Sequence, residues 1–370
     1  MSELYIGLMS GTSIDAVDAA LVELGGNRPQ LIASHSETVS PQLKQRIAQL
    51  CTPGNNEIEK MGTLDIEIGA LFAHAANTLL DNNALSSRDI IAIGSHGQTI
   101  RHRPPQAPNT LGFSLQIGDP NTIAARTNIT TVADFRRRDM TGGGQGAPLA
   151  PVFHQAIAPE GQRCCAFLNL GGIANLTLIS GQQLQSGFDC GPANTLMDAW
   201  TYEQRQQHYD ANGKWARSGQ VSPALLKRLL AHPYFARTPP KSTGRETFNL
   251  EWLQQQLQAL PPIAAADVQA TLLQLSCTSI AHALRALPEQ PEVIYCCGGG
   301  SANSYFMQQL AQACAPCGID TTAALGIDPN WIEACAFAWL AQQTLHRKAV
   351  PLQAITGTSN DSALGGVYFA

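Results

Sequence analysis

The chain has 370 residues, 44% apolar and only 14% charged, with a formal net charge of −5. That length exceeds one ordinary core and suggests two domains, and the acidic balance excludes a general nucleic-acid binder, whose face would be basic. No apolar window approaches a membrane span, and no basic segment followed by a pure apolar stretch opens the chain, so a cytoplasmic protein is expected.

An apolar run at 4–9 stops at Ser10-Gly11-Thr12-Ser13, and an alternating run through Val17, Ala19, Leu21, Val22 and Leu24 follows. The pattern reads as strand, small-residue turn, strand. Backbone N–H groups of so bare a turn approach an anion closely, and Asp15 and Asp18 stand just beyond it. Such a set suits a phosphate bridged by a divalent cation, although a plain Gly- and Ser-rich hairpin turn has the same composition. A turn at Gly25-Gly26-Asn27 and a third strand over 31–39 come next. Ser40 and Pro41 start a helix with Leu43, Ile47 and Leu50 in helical step, and a second helix spans 66–80. A short buried strand at 90–93 ends in the loop Gly94-Ser95-His96-Gly97-Gln98-Thr99. There His96 either donates to a sugar hydroxyl or is a satisfied loop histidine. Short strands at 115–117 and 130–133 flank a helix over 120–126. The stretch 133–151, with Arg136-Arg137-Arg138 and Gly142-Gly143-Gly144-Gln145-Gly146, reads as a flexible polar seam between domains, and a helix over 149–157 follows.

Past the seam the opening pattern returns. Ala166-Phe167-Leu168-Asn169-Leu170 leads to Gly171-Gly172-Ile173-Ala174-Asn175 and a strand over 176–179. Gly11 is matched by Gly171 and Asp15 by Asn175, at one offset of 160 (171 − 11 and 175 − 15). A turn at Ser180-Gly181, a strand reaching Phe188 and a helix over 195–206 continue the parallel. A long amphipathic helix over 268–287 precedes a strand at 293–296, which ends in Cys297-Gly298-Gly299-Gly300-Ser301 and opens a helix over 305–314. Each half reads as three strands and a helix, then helix, strand and small-residue loop. Such a duplication suggests one ligand gripped between two related domains, unless independent α/β patterning mimics it.

The common phosphate signatures are missing. There is no P-loop motif, Asn303 stands where a dinucleotide fingerprint wants its last Gly, and no Gly-x-Ser-x-Gly elbow occurs. Gly298, Gly299 and Gly300 serve equally as a tight turn or a close approach to a nucleotide. Asp189, in Gly187-Phe188-Asp189-Cys190-Gly191-Pro192, sits at a strand end where desolvation favours a general base; a turn aspartate is the plainer reading. Glu333 begins an apolar helix over 331–345, where a glutamate also simply suits the helix dipole. The loop 239–246 carries Lys241 and Arg245, either for an acidic substrate group or as a solvated surface loop. Ten cysteines are scattered, mostly in apolar runs, and read as reduced, buried thiols. Cys314-Ala-Pro-Cys317 has neither a second ligand pair nor a thioredoxin-like context.

Eight motifs together resemble the anhydro-N-acetylmuramic acid kinases. They are Met9-Ser10-Gly11-Thr12-Ser13-Ile14-Asp15, Gly94-Ser95-His96-Gly97-Gln98-Thr99, Ala133-Asp134-Phe135-Arg136, Gly143-Gly144-Gln145-Gly146-Ala147-Pro148, Asn169-Leu170-Gly171-Gly172, Gly187-Phe188-Asp189-Cys190-Gly191-Pro192, Lys241-Ser242-Thr243-Gly244-Arg245-Glu246 and Cys297-Gly298-Gly299-Gly300. Ala16 departs from the glycine usual in that family. The resemblance implies an α/β fold of two duplicated actin-like, ribonuclease H-like domains closing on ATP, here 1–133 plus about 355–370, and 134–354. It implies a first phosphate loop of Gly11, Thr12, Ser13, Ile14, Asp15, Ala16, Val17 and Asp18, with Asp15 or Asp18 holding Mg²⁺ through water. Gly171, Gly172 and Asn175 would form a second phosphate loop, and Gly298, Gly299 and Gly300 would lie near the adenosine. Asp189 would be the base, Glu333 would help orient water or sugar, and His96, Gln98, Lys241 and Arg245 would bind the sugar. The implied reaction opens the 1,6-anhydro bridge with water and phosphorylates the 6-oxygen, in a cytoplasmic homodimer that works in peptidoglycan recycling. Another sugar or carboxylate kinase of this fold, or an ATP-driven switch, is the alternative.

Overall fold

The computed structural model describes residues 3–105, 111–239 and 241–370, so Pro240 of the basic loop lies outside the described residues. In chain order the strands are β1 (Leu4–Ser10), β2 (Ala16–Glu23), β3 (Gln30–Thr38), β4 (Ile90–Arg103), β5 (Phe113–Ile117), β6 (Thr131–Ala133), β7 (Cys164–Leu170), β8 (Ile173–Ser180), β9 (Gln183–Pro192), β10 (Val293–Cys297), β11 (Gly318–Thr321) and β12 (Gly366–Tyr368). They form two sheets within two compact units, residues 1–157 with 331–370, and residues 158–330.

The first unit's sheet runs β12-β6-β4-β1-β2-β3, with β5 paired to β4. Strands β1, β2 and β3 form an antiparallel meander, and β4 lies parallel beside β1. Alternation along β1 sends Ile6 and Leu8 into one core. The helix Glu57–Asn82 meets them there with Leu64, Ile68, Phe72, Ala75, Ala76 and Leu79, at helical step. The opposite face carries the helix Ile332–Leu345, which is apolar nearly all round and packs on β1, β2 and β4. Gly7 and Gly94 are direct partners across β1 and β4. A Cβ on Gly7 would collide with the Ala334 carbonyl, and one on Gly94 with that of Phe337. Their bareness is what lets this helix lie down on the sheet.

The second unit's sheet runs β11-β10-β7-β8-β9. It repeats the first topology, an antiparallel meander with a parallel strand beside its first member. Its core joins Leu168, Leu170, Leu176 and Leu178 to the helices Asn194–Arg205, Pro223–Leu230, Leu250–Gln258 and Ala265–Arg285.

Several readings change. The stretch 94–99 is not a loop but the middle of β4, which runs on to Arg103 and turns at Gly97 with φ +73°. The seam at 133–151 contains the helix Phe135–Thr141, and Phe135 and Asp139 are buried. Asp139 accepts hydrogen bonds from Gly146 N (2.7 Å) and Thr356 Oγ1 (2.7 Å), which tie this stretch into the first unit. The units therefore divide at 157/158 and 330/331, whereas the sequence reading put the boundaries at 133/134 and 354/355. All ten cysteines are free thiols, Cys51 and Cys317 half-buried and the rest buried.

Candidate functional site

In the first unit the turn after β1 is Gly11 to Asp15. Ile14 N donates to Gly11 O (3.1 Å) and Ile14 takes φ +56°, its side chain buried, while Thr12 and Ser13 are exposed. Gln98, only 1% exposed, braces this turn from β4. Its Oε1 accepts from Ser10 Oγ (2.8 Å) and its Nε2 donates to Gly11 O (3.3 Å) and Thr99 O (3.2 Å). Its amide is therefore committed to the loop rather than offered to a sugar. The same holds for His96. Its Nδ1–H donates to Gly97 O (2.8 Å) and its Nε2 accepts from Arg136 Nε (3.0 Å). Burial and the neighbouring Arg136 charge hold the ring well below its ordinary pKa, so it is the neutral tautomer these two bonds require. Of the two sequence readings of His96, the structure has the satisfied histidine.

Asp18 pairs with Met9 across β1 and β2, and with Ser36 across β2 and β3, where Ser36 Oγ donates to Asp18 Oδ1 (2.8 Å). Burial raises its carboxyl pKa and the Ser36 bond opposes that. Asp15 lies at the exposed rim, ion-paired with Lys44. Among the described residues no group of three or more His, Cys, Asp or Glu side chains converges into a metal cage. The donor chemistry fits Mg²⁺, which is held by one or two carboxylates and completes its shell with water and phosphate oxygens. Asp18 suits that role better than Asp15, whose carboxylate already faces Lys44. Glu333 opens the helix Ile332–Leu345 and reaches solvent, yet the protein around it raises its carboxyl pKa. The Arg136 charge pulls the other way, and Asp18 adds to the rise.

In the second unit Asp189 Oδ1 accepts from Asn175 Nδ2 (2.9 Å) and Oδ2 accepts from Thr243 N (2.9 Å). Its own N–H donates to Lys241 O (3.1 Å), and Tyr234 OH donates to its carbonyl (2.7 Å). Burial raises its pKa, the Asn175 and Thr243 bonds oppose this, and Glu246 adds to the rise. Asn175, expected at a phosphate, thus steadies Asp189. The offset pairing also shifts. The turn after β7 has only Gly171 and Gly172, three residues fewer than the turn after β1. The rung Met9–Asp18 is matched by Asn169–Asn175, so Asn175 corresponds to Asp18, not Asp15.

Gly171 and Gly172 accept through their carbonyls from Asn194 N (3.1 Å) and Thr195 N (3.0 Å) at the start of the helix Asn194–Arg205. Gly298 (φ +78°) and Gly300 abut the end of β7. A Cβ on Gly298 would strike Asn169 Oδ1, and one on Gly300 would lie 2.8 Å from Asn194 Nδ2 and from Leu170 O. The two glycine turns therefore meet at the ends of β7 and β10. Lys241 Nζ lies 5.0 Å from the centre of the Tyr234 ring, and burial lowers its pKa. Arg245 is exposed, and its charge opposes the burial that pushes Asp198 up to about 7.

A model of the anhydro-N-acetylmuramic acid kinase family matches residues 3–370. The chain belongs to that family. The anhydro-N-acetylmuramic acid kinase of Shewanella oneidensis is 50% identical over 367 residues, covering 99% of this chain and 98% of its own. That of Shewanella sp. strain ANA-3 is 50% identical over 369 residues with the same coverage. Among solved structures, an activator of the 2-hydroxyisocaproyl-CoA dehydratase from Clostridium difficile with bound ADPNP aligns at TM-score 0.46 and 11% identity, covering 95% of this chain and 100% of its own. A ROK family glucokinase from Streptomyces griseus in complex with glucose and AMPPNP aligns at 0.40 and 15%, covering 92% and 99%.

Sequence reasoning gave Arg136 no role, noting it only in a basic run and in the motif Ala133-Asp134-Phe135-Arg136. It also missed Ser36 and Thr243, because a hydroxyl or backbone donor to a carboxylate leaves no mark until strands are in register. Asp198 carried no signal at all.

Proposed function

We propose that this chain is an ATP-dependent anhydro-N-acetylmuramic acid kinase that opens the 1,6-anhydro ring with water and phosphorylates the 6-oxygen. The family match over residues 3–370 carries the reading. The held, partly desolvated carboxylate of Asp189 supports the assignment of its base.

Charge flow makes the chemistry coherent. Water's oxygen bonds to the anomeric carbon as that carbon's bond to the bridging oxygen breaks. The bridging oxygen gathers negative charge and takes the γ-phosphoryl group of ATP, releasing ADP. Phosphoryl capture thus replaces the general acid that an inverting glycosidase needs, and one carboxylate suffices as base on the water. Asp189 takes that proton, with Asn175 and the Thr243 backbone fixing its orientation. Glu333 orients water or sugar. Lys241 and Arg245 hold the sugar's lactyl carboxylate as cationic donors. The N–H groups of Gly11 to Asp15 receive phosphate oxygens, as do those of Gly171 and Gly172, and Gly298 to Gly300 lie by the adenosine. Asp18 would hold Mg²⁺ through water, and the ion would offset charge on the phosphate oxygens. Gln98 and His96 act through the segments they brace.

The same proposal makes the protein a cytoplasmic homodimer of peptidoglycan recycling. Among the described residues no helix is long and apolar enough to cross a membrane. Sedimentation tests the dimer. A coupled assay tests the reaction: ADP release should require 1,6-anhydro-N-acetylmuramic acid. Turnover with ordinary hexoses would indicate another sugar kinase, and sugar-independent cycling an ATP-driven switch.

A further inference from the structure

We infer that His96 and Arg136 form a positioning pair for Glu333, an inference that rests on the role proposed above for that glutamate. Both lie in the same unit as Glu333, and the imidazole is not free to bind the sugar as first expected of it. The imidazole is 5% exposed and has both nitrogens engaged, one on Gly97 O and the other receiving Arg136 Nε–H at 3.0 Å. Its ring packs on Phe337, centroids 4.7 Å apart, and Phe337 packs on Phe135 at 5.5 Å. Phe337 is one helical turn beyond Glu333, on the same side of the helix Ile332–Leu345. So the histidine grips the glutamate's helix through its face and the arginine through its edge.

Arg136 has a second anchor. One terminal nitrogen donates to Gly146 O at 2.7 Å, and Gly146 N in turn donates to buried Asp139. Nε is spent on His96 and that nitrogen on Gly146, so the planar guanidinium is fixed in orientation as well as place. The charged groups acting on it are Glu333 and Asp139, which offset part of the cost of its burial. Asp139's carboxylate is already satisfied by Gly146 N and Thr356 Oγ1. The fixed charge therefore acts on Glu333 as well as on Asp139, and of the two carboxylates Glu333 is the one that reaches solvent. A protonated imidazole would present N–H at Nε2 and repel Arg136, so only a neutral histidine does this work. Gln98, two residues on along β4, braces the Gly11 turn, so alternate residues of one strand steady the phosphate loop and the glutamate.

The test is a steady-state comparison of His96→Phe, His96→Gln, Arg136→Lys and the His96→Phe/Arg136→Lys double variant, with Glu333→Gln as reference. Phe keeps the ring stack and loses the acceptor; Gln restores an acceptor; Lys keeps charge but loses the Nε donor. Misplacement of a group by about 1 Å can cost on the order of a hundredfold. His96→Phe should therefore lower kcat by about 10–100-fold and leave the sugar KM within about twofold. His96→Gln should recover most of that loss, and the double variant should be no worse than the poorer single variant, because coupled residues do not add. A raised sugar KM at unchanged kcat would put His96 on the sugar and overturn the pair, as would losses that multiply in the double variant. Should His96→Phe fail to fold, Arg136→Lys is read alone: a 10–100-fold fall in kcat at constant sugar KM supports the pair, and any other pattern overturns it. Wild-type activity in Glu333→Gln would remove the glutamate's role itself. Impairment there with wild-type rates in His96→Phe and Arg136→Lys would sink only the positioning pair.

Discussion

The two meanders place a carboxylate at the same rung but on different strands. In the first unit the acid is Asp18 on the middle strand, and its donor, Ser36, is on the third. In the second the third strand carries the acid, Asp189, and the middle strand its donor, Asn175. The neighbours differ accordingly. Asp18 answers to another acid, Glu333, a setting that invites a cation, whereas Asp189 receives a second hydrogen bond from Thr243 N. One frame thus supplies two carboxylates whose surroundings suit a metal holder and a base. A second contrast lies one rung pair away. Where the first sheet has Gly7 beside Gly94, the second has Phe167 beside Tyr295, ring centroids 5.5 Å apart (7 + 160 = 167). Where a helix backbone lies on one sheet, two rings stand on the other.

The largest expected effect separates the two acids. Asp189→Asn should cut kcat by about a hundred- to ten-thousand-fold with ATP and sugar KM values retained, while Asp18→Asn should chiefly raise the Mg²⁺ concentration needed for turnover. Equal Mg²⁺ dependence in Asp18→Asn and wild type would erase the distinction. Next comes the glycine-for-ring contrast. Phe167→Ala should destabilise by about 3–5 kcal/mol through a cavity, and Gly7→Ala by about 1–3 kcal/mol through overpacking against the Ala334 carbonyl. Thermal unfolding reads both, and a silent Gly7→Ala would mean that the helix is not seated as described.

The donors give a smaller test. Hydrogen bonds to charged groups contribute about 1.5–3 kcal/mol. Asn175→Ala removes one that favours ionised Asp189, so the carboxylate's pKa should rise and the acid limb of the kcat profile move to higher pH; Ser36→Ala should leave that limb in place. Smallest of all is the Asp198 effect. Its carboxyl is raised to about 7 in the folded protein, so the folded state holds more protons than the unfolded one between the ordinary aspartate pKa and 7. Stability tied to this group is present at low pH and falls as pH rises through that window. Asp198→Asn should therefore melt above wild type at pH 8, with the gap narrowing as pH falls and closing only below the ordinary aspartate pKa, about pH 4.

Much of this was legible in the residues. The strand β1 declared itself by an apolar run, β2 by alternation, β7 and β8 by the return of that pattern, and the glycine turns by their bareness. Asp189 drew notice because it stands at a strand end between Phe188 and a Gly-Pro turn, where desolvation favours a base. What stayed hidden depended on register. The residues 94–99 looked like a loop because Gly, Ser and His are poor strand formers, and pairing with β1, β5 and β6 keeps them extended. The helix Phe135–Thr141 was masked by its arginines: Arg137 and Arg138 are exposed, and only Arg136 turns inward, onto His96 and Gly146. Asn175 was matched to Asp15 because a constant offset cannot register a turn shortened by three residues.

The glycine groove under the helix Ile332–Leu345 bears on how the protein is made. Residues 158–330 form one unbroken unit, so that unit can fold as soon as it leaves the ribosome, while the first unit waits for a helix made only after it. Until then the shelf at Gly7 and Gly94 is bare apolar backbone. The nascent chain therefore carries an open binding site for the helix Ile332–Leu345 until that helix is made, and a chain released before it would keep that site exposed.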